Sequence, residues 1–421
     1  SATVQPLAEM TAVAGNRATA TVPVLTMGSE PVGSLSYVVT IDGRPQQEAV
    51  CTLEQPVDEL GRLIGMTVDY DVPAAAEEYM LGIAVTKVNG EPLPPAEEQQ
   101  AMLLALSHEP LKRTVMEEFT GTWCLNCVRG FAGIALLEQQ FGDRFIAIAM
   151  HSDDPALDRD PMVVDHYRNS TFYKDKISVL GGLPSCTIDR WIDGDPYCGY
   201  QTTGSFQTDR LVAEALARRA TADLQLTATW TDDSQTAIRY DVETAFAYSS
   251  ADAHYRLILV LTADGLKGEG ARWRQTNGYD DYSGPDEALL QYAGRGRYLT
   301  DMEYDHVAVD IVGVNDGIEG SITSPLVADA PQHYTLTTAV GGNTLIQDKQ
   351  RLNAIAMLID TRDGSVVNAA TSRVVTSAAV ATVPHAAGVS QQPLYDLQGR
   401  VAGTKAKSPL RKRCINIFNT H

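Results

Sequence analysis

Hydrophobic and polar positions change their period twice along the 421-residue chain. Up to about residue 110 they alternate with the period of a half-buried strand, as in Ala18 to Leu25, Ser34 to Ile41, Gly65 to Val72 and Met80 to Val88. Asp42-Gly43 and Asn89-Gly90 follow two of these runs and are hairpin-turn signals. Short strands at this spacing predict an immunoglobulin-like β-sandwich over residues 1–110. A Pro-rich stretch and a short helical pattern from Ala96 to Ala105 then read as a connector.

From Lys112 strand and helix patterns take turns. Arg113 to Phe119 reads as a strand, and Cys127 to Phe141 has helical periodicity. Phe145 to Met150 is an apolar run suited to a strand buried on both faces. Pro161 to Phe172 opens with a proline suited to a first helical turn. Ser185 to Trp191 and Thr208 to Ala220 complete one α/β unit, placed at residues 111–221. Beyond Thr221 the strand period returns, in Leu224 to Trp230, Ala237 to Ala247, Tyr255 to Ala263, His306 to Val314, His333 to Val340 and Arg351 to Ile359. These predict a jelly-roll-like sandwich over 222–383, with Leu266 to Tyr298 as a long insertion loop and 384–421 as a tail. The expected fold class is therefore multidomain α+β: a central α/β domain between two antiparallel β-sandwich domains.

Charge narrows the partners. With 33 Lys and Arg against 53 Asp and Glu, the formal charge is -20. Such a surface repels phosphate backbones, so no nucleic-acid partner is expected. No apolar run approaches the roughly 18 residues a spanning helix needs, so no transmembrane helix is expected either. The chain begins at Ser1, as a secreted protein without its signal peptide would. Its six cysteines, at 51, 124, 127, 186, 198 and 414, leave room for disulfides in an oxidising compartment.

The chemistry concentrates in Trp123-Cys124-Leu125-Asn126-Cys127. Two thiols three residues apart at the start of a helix share a face and can form a disulfide. The partial positive charge of the helix N-terminus lowers the first thiol's pKa, and a thiolate is the species that attacks disulfides. The same spacing is also half of a zinc site. No second ligand pair completes one, since Cys186 and Cys198 are twelve apart and His151 and His166 lack partners at ligand spacing. No metal and no cofactor is therefore read from the chain.

The order strand, acidic residue, Trp-Cys-x-x-Cys, helix and later a strand-opening proline resembles the thioredoxin superfamily. That resemblance implies Cys124 as nucleophile, Cys127 as resolving thiol, Glu118 as the buried proton relay and Trp123 as a shield over the pair. It also implies a cis peptide at Pro184, facing the disulfide and guiding substrate backbone. Glu117-Glu118-Phe119-Thr120-Gly121-Thr122-Trp123-Cys124 further resembles the signature of the thioredoxin-like, outer-membrane-protein-related family of secreted Bacteroidetes proteins. Tyr304-Asp305-His306-Val307 and Gly313-Val314-Asn315 are similar to its C-terminal domain. Val128 stands where that family commonly has proline, and the Leu-Asn spacer matches neither reducing nor oxidising members, so redox direction is open. Cys186 is expected either to pair with Cys198 across the Asp193-Gly194 turn or to remain a buried thiol. The tail segment Tyr395 to Val401 resembles the sorting domains of type IX secretion.

Together these imply an extracytoplasmic protein of the periplasm, outer membrane or cell surface. Two functions from different classes follow: thiol–disulfide exchange on the thiols or disulfides of exported proteins, or non-catalytic binding of cell-surface ligands with the α/β unit as scaffold.

Overall fold

The computed structural model describes residues 1–376 apart from 29, 59–60, 95–97 and 154–159. The tail, with Cys414 and the segment at 395–401, lies outside the described residues. The chain divides into two compact units, Ser1–Ala105 and Leu106–Ser377.

The first unit is built on alternation. Along Arg17–Thr26 the buried positions are Val22, Val24 and Thr26, every second residue. This strand lies between Ala2–Val4 and Arg62–Asp71 in a three-stranded sheet. A larger sheet carries Val32–Ile41 and Glu78–Val88 at its centre. Both sheets send side chains into one hydrophobic cluster that includes Val24, Leu35, Val39, Met66 and Ile83. Asp42-Gly43 and Asn89-Gly90 take positive φ at both residues, 49° and 72°, then 50° and 85°, as the expected turns require. The helical pattern expected from Ala96 to Ala105 gives way to a strand from Gln99 onward. Gln99–Leu106 is a strand paired antiparallel with Glu78–Val88, with Ala101 opposite Leu81 and Leu103 opposite Tyr79.

The second unit overturns the expected architecture. The described residues are mostly β, 46% strand against 13% helix, and among them no α/β domain is set apart between two sandwiches. Instead one eleven-stranded sheet runs through the unit. It begins Ile192–Gly194, Ser185–Ile188, Thr114–Thr120, Phe145–His151, and continues without a break into Val307–Val312, Tyr255–Ala263, Leu352–Asp360 and Val366–Thr376. Ala222–Trp230, Ala237–Phe246 and Pro331–Ala339 complete it.

The junction explains why no boundary forms near residue 221. Ala149 donates its N–H to the His306 carbonyl at 2.8 Å, and Ala149 pairs in parallel with Val307. Asn368 ties the two halves a second time, its amide donating to the carbonyls of Leu111 and Ala222 at 3.1 and 2.9 Å. The core is shared as well. Val115, Phe119, Ile148 and Met150 pack in one cluster with Ile258, Val260, Ile355 and Met357 from the later strands. Two separate domains would have left both apolar faces exposed to water.

Helices cover parts of this sheet: Val128–Phe141, Thr171–Leu180 and Thr208–Ala217 are the longest. Ser170 caps the second of these, its hydroxyl accepting from the Tyr173 N–H at 3.1 Å. Among the described residues no helix is long and apolar enough to cross a membrane.

Candidate functional site

Thr114–Thr120 is buried along its whole length and ends at the loop that carries the two cysteines. Its neighbours are Phe145–His151 in parallel and Ser185–Ile188 antiparallel, so Glu118 faces Ala149 on one side and Cys186 on the other. After the strand the chain turns through Gly121 to Cys127, and the helix Val128–Phe141 begins. Cys124 and Cys127 form a disulfide with their Cα atoms 5.4 Å apart.

The pair is not open to solvent. Cys124 is 4% exposed and Cys127 0%. Trp123 donates its indole N–H to the Ser152 carbonyl at 2.7 Å, closing one side of the loop. The other side is covered by part of the stretch from Leu266 to Tyr298, whose composition predicts a long insertion loop. Gln275 is fully buried, and its side-chain amide donates to the Cys124 carbonyl at 2.9 Å. Thr276 N–H donates to the Thr122 carbonyl at 2.7 Å, and Gly278 N–H to the Leu125 carbonyl at 2.8 Å. A Cβ on Gly278 would stand 2.8 Å from both the Leu125 carbonyl oxygen and its Cγ, so only glycine lets the two backbones approach this closely. A two-stranded ribbon of Gln275–Thr276 and Tyr298–Leu299 and a short helix, Glu287–Leu290, hold the cover in shape. Nothing local in the sequence marks these contacts, because they join positions about 150 residues apart.

Glu118 lies beneath. Its carboxyl occupies the space where Gly130 lacks a side chain, against the first turn of the helix that follows Cys127. Neither carboxyl oxygen meets a donor at hydrogen-bond distance. Burial raises its pKa to about 8, with the charge of Asp195 adding to the rise. Glu118 is therefore a neutral acid at pH 7.

The other expected residues are placed as follows. Leu183-Pro184 is a cis peptide, and Pro184 immediately precedes Ser185, which pairs with Phe119 on the strand leading to the disulfide. Cys186 and Cys198 do not bridge and are both free buried thiols. The register explains this: Cys186 pairs with Gly194, so the chain has passed into the Asp195 to Gly199 turn before Cys198 is reached. Cys186 faces Met116 and Ile188 in one apolar cluster, whereas Cys198 packs with Val128 and Tyr197 in another. Burial raises the Cys186 thiol well above its ordinary range and the Cys198 thiol to about 11, so neither is a thiolate at neutral pH.

His151 is engaged in a buried pair, its Nδ1 2.9 Å from Asp160 Oδ2. Burial would raise the Asp160 carboxyl, but His151 and N–H donors from Thr122 and Met162 hold it below its usual range. Arg129 donates from Nε to Asp195 at 3.0 and 3.2 Å. Asp189 meets Lys112, and Asp193 meets Lys176, both at 2.7 Å. Asp189, Asp193 and Asp195 thus each have a cation of their own.

No family model and no curated protein matches the chain. Among solved structures it is similar to HBP35 of Porphyromonas gingivalis, at 13% identity and a TM-score of 0.43, over 71% of this chain and 87% of that one. A structural-genomics protein from Agrobacterium tumefaciens matches at 12% identity and a TM-score of 0.34, over 63% and 95%. A domain of the outer membrane lipoprotein Omp28 from Porphyromonas gingivalis matches at 14% identity and a TM-score of 0.21, over 38% and 92%. Likenesses this remote carry no function across, and the geometry of the chain has to supply its own.

Proposed function

We propose that this chain is an extracytoplasmic binding protein, acting at the cell surface or outer membrane, in which the Cys124–Cys127 disulfide is a sealed cross-link and not a turnover site. The observation that carries this reading is the cover. A catalytic disulfide must admit a substrate sulfur in line with its own S–S bond. Here the Cys124 backbone is bonded to Gln275, and Thr122 and Leu125 on either side of it are bonded to Thr276 and Gly278. A disulfide kept in this state also suits an oxidising compartment.

The competing reading, thiol–disulfide exchange on exported proteins, draws on the neutral acid Glu118 beneath the helix of the cysteine loop. A turnover assay separates the two. Wild type is expected to reduce insulin disulfides no faster than background, and its cysteines are expected to resist alkylation after mild dithiol treatment. Turnover above background that disappears in Cys124→Ser would overturn the sealed-disulfide reading.

The cover can be tested directly. Gly278→Val pushes a side chain into the Leu125 carbonyl and forces the segment off the cysteine loop. Dithiol reduction of Cys124–Cys127 is then expected to accelerate about tenfold or more, because access no longer waits for local opening. Equal rates in variant and wild type would show that the segment does not guard the disulfide.

A further inference from the structure

A second site opens within the same unit, next to the covering segment. Arg272 and Trp273 form one wall of a cleft of about 670 Å³, and Asp310 and His166 line it as well. Asn343 and Thr344, in the turn after Pro331–Ala339, complete its rim. The volume lies within the range of about 300–1,000 Å³ usual for small-ligand sites.

The walls are set before any ligand arrives. The Trp273 indole rests on Gly268, where a Cβ would collide with the ring, and the Tyr304 hydroxyl holds the Trp273 carbonyl at 2.9 Å. Asn343 is fixed by donating to the Val309 carbonyl at 2.9 Å while its own carbonyl accepts from Leu345 N–H at 3.0 Å. Asp310 Oδ1 is 3.5 Å from His166 Nε2 and accepts from Ile311 N–H at 3.0 Å, and His166 Nε2 lies 3.1 Å from the Ile311 carbonyl. Among the described residues Arg272 has no carboxylate partner, and the indole N–H of Trp273 has no acceptor.

This set has a particular chemistry. A flat aromatic surface accepts the C–H face of a six-membered sugar ring and excludes water from it. A carboxylate, a guanidinium and an imidazole are planar groups that accept from and donate to neighbouring hydroxyls. An apolar ligand would cover Arg272 without offering it an acceptor, and a simple anion would make no use of the Trp273 face. We infer that the cleft binds a pyranose sugar, with its ring on Trp273 and its hydroxyls shared between Arg272 and Asp310, or a ring carboxylate held by Arg272. The inference rests on the binding reading above and is independent of the state of the disulfide.

Saturation-transfer NMR tests it with methyl glycosides of glucose, galactose, mannose, N-acetylglucosamine and glucuronate, and with N-acetylneuraminate, at millimolar concentration. At least one of these is expected to receive saturation from the wild-type chain. Trp273→Ala and Asp310→Asn are expected to weaken that sugar about tenfold or more. Arg272→Ala, at an exposed side chain, should keep the wild-type melting temperature and carries the test if Trp273→Ala does not fold. Retained binding of the glucuronate or neuraminate probe alone would assign the cleft to acidic sugars. No saturation of any probe by the wild type, or saturation that survives all three substitutions, would overturn the inference. An inactive disulfide in the turnover assay would still stand in that event, so failure of the sugar site and failure of the sealed disulfide are read from different experiments.

Discussion

Replacing Glu118 by Gln is expected to remove most of a fall in stability that the wild type shows between pH 4.5 and about pH 8. The unfolded chain releases this proton near 4.5, while the folded chain keeps it to about 8 because burial disfavours the anion. Below 4.5 both states carry the proton and the group contributes no slope. Between the two values only the folded state does, so stability declines by about 1.4 kcal/mol per pH unit. Above 8 both have lost it and the decline stops. The whole span is on the order of 5 kcal/mol, large against the 5–15 kcal/mol typical of a folded domain. Glutamine keeps the shape without the titration. Its buried amide costs a fixed amount at every pH, so the informative quantity is the variant-minus-wild-type difference in urea denaturation at about pH 5 and about pH 9. That difference should move in favour of Gln as pH rises. A pH-independent difference would mean that Glu118 is ionised in the fold.

Arg190→Met should destabilise the second unit by about 3–5 kcal/mol, the cost of leaving a buried carboxylate alone. Arg190 grips Glu117 with two hydrogen bonds, 2.8 Å from Nε and 2.9 Å from Nη2. Its remaining nitrogen donates to the Val314 carbonyl at 2.7 Å, and the guanidinium lies 3.6 Å from the centre of the Phe172 ring. Glu117 itself is 1% exposed and has no route to water. The double variant Glu117→Met, Arg190→Met should recover much of the loss, since two apolar side chains leave no uncompensated charge. Additive losses in urea denaturation would show that the pair acts only through packing.

The local parts of this structure were legible from short-range signals. The disulfide follows from two thiols at the start of a helix, and the hairpins at Asp42-Gly43 and Asn89-Gly90 follow from the positive φ those residues tolerate. What could not be read was the company each strand keeps. Phe145–His151 was expected in a strand buried on both faces, but no pattern in it names Val307–Val312 as a neighbour. The helical spacing of Ala96 to Ala105 was real, yet pairing with Glu78–Val88 decided in favour of strand. Gln275 and Gly278 sit in a stretch whose Gly, Asp and Tyr content announces a loop and says nothing of what the loop lies on. The error in fold class has the same origin. A change of period at residue 221 reads as a domain boundary, and only the shared core shows that it is a change of layer partners within one sheet.

The unbroken sheet also fixes an order of events during synthesis. Val366–Thr376 is the last described strand, yet it lies inside the sheet, between Leu352–Asp360 and Ala222–Trp230. The sheet therefore cannot close until nearly the whole described chain has been made. The loop between Cys124 and Cys127 spans three residues and needs no distant partner. Closing that bond therefore does not wait for Gln275 and Gly278, whereas its cover can form only once a segment some 150 positions later folds onto it.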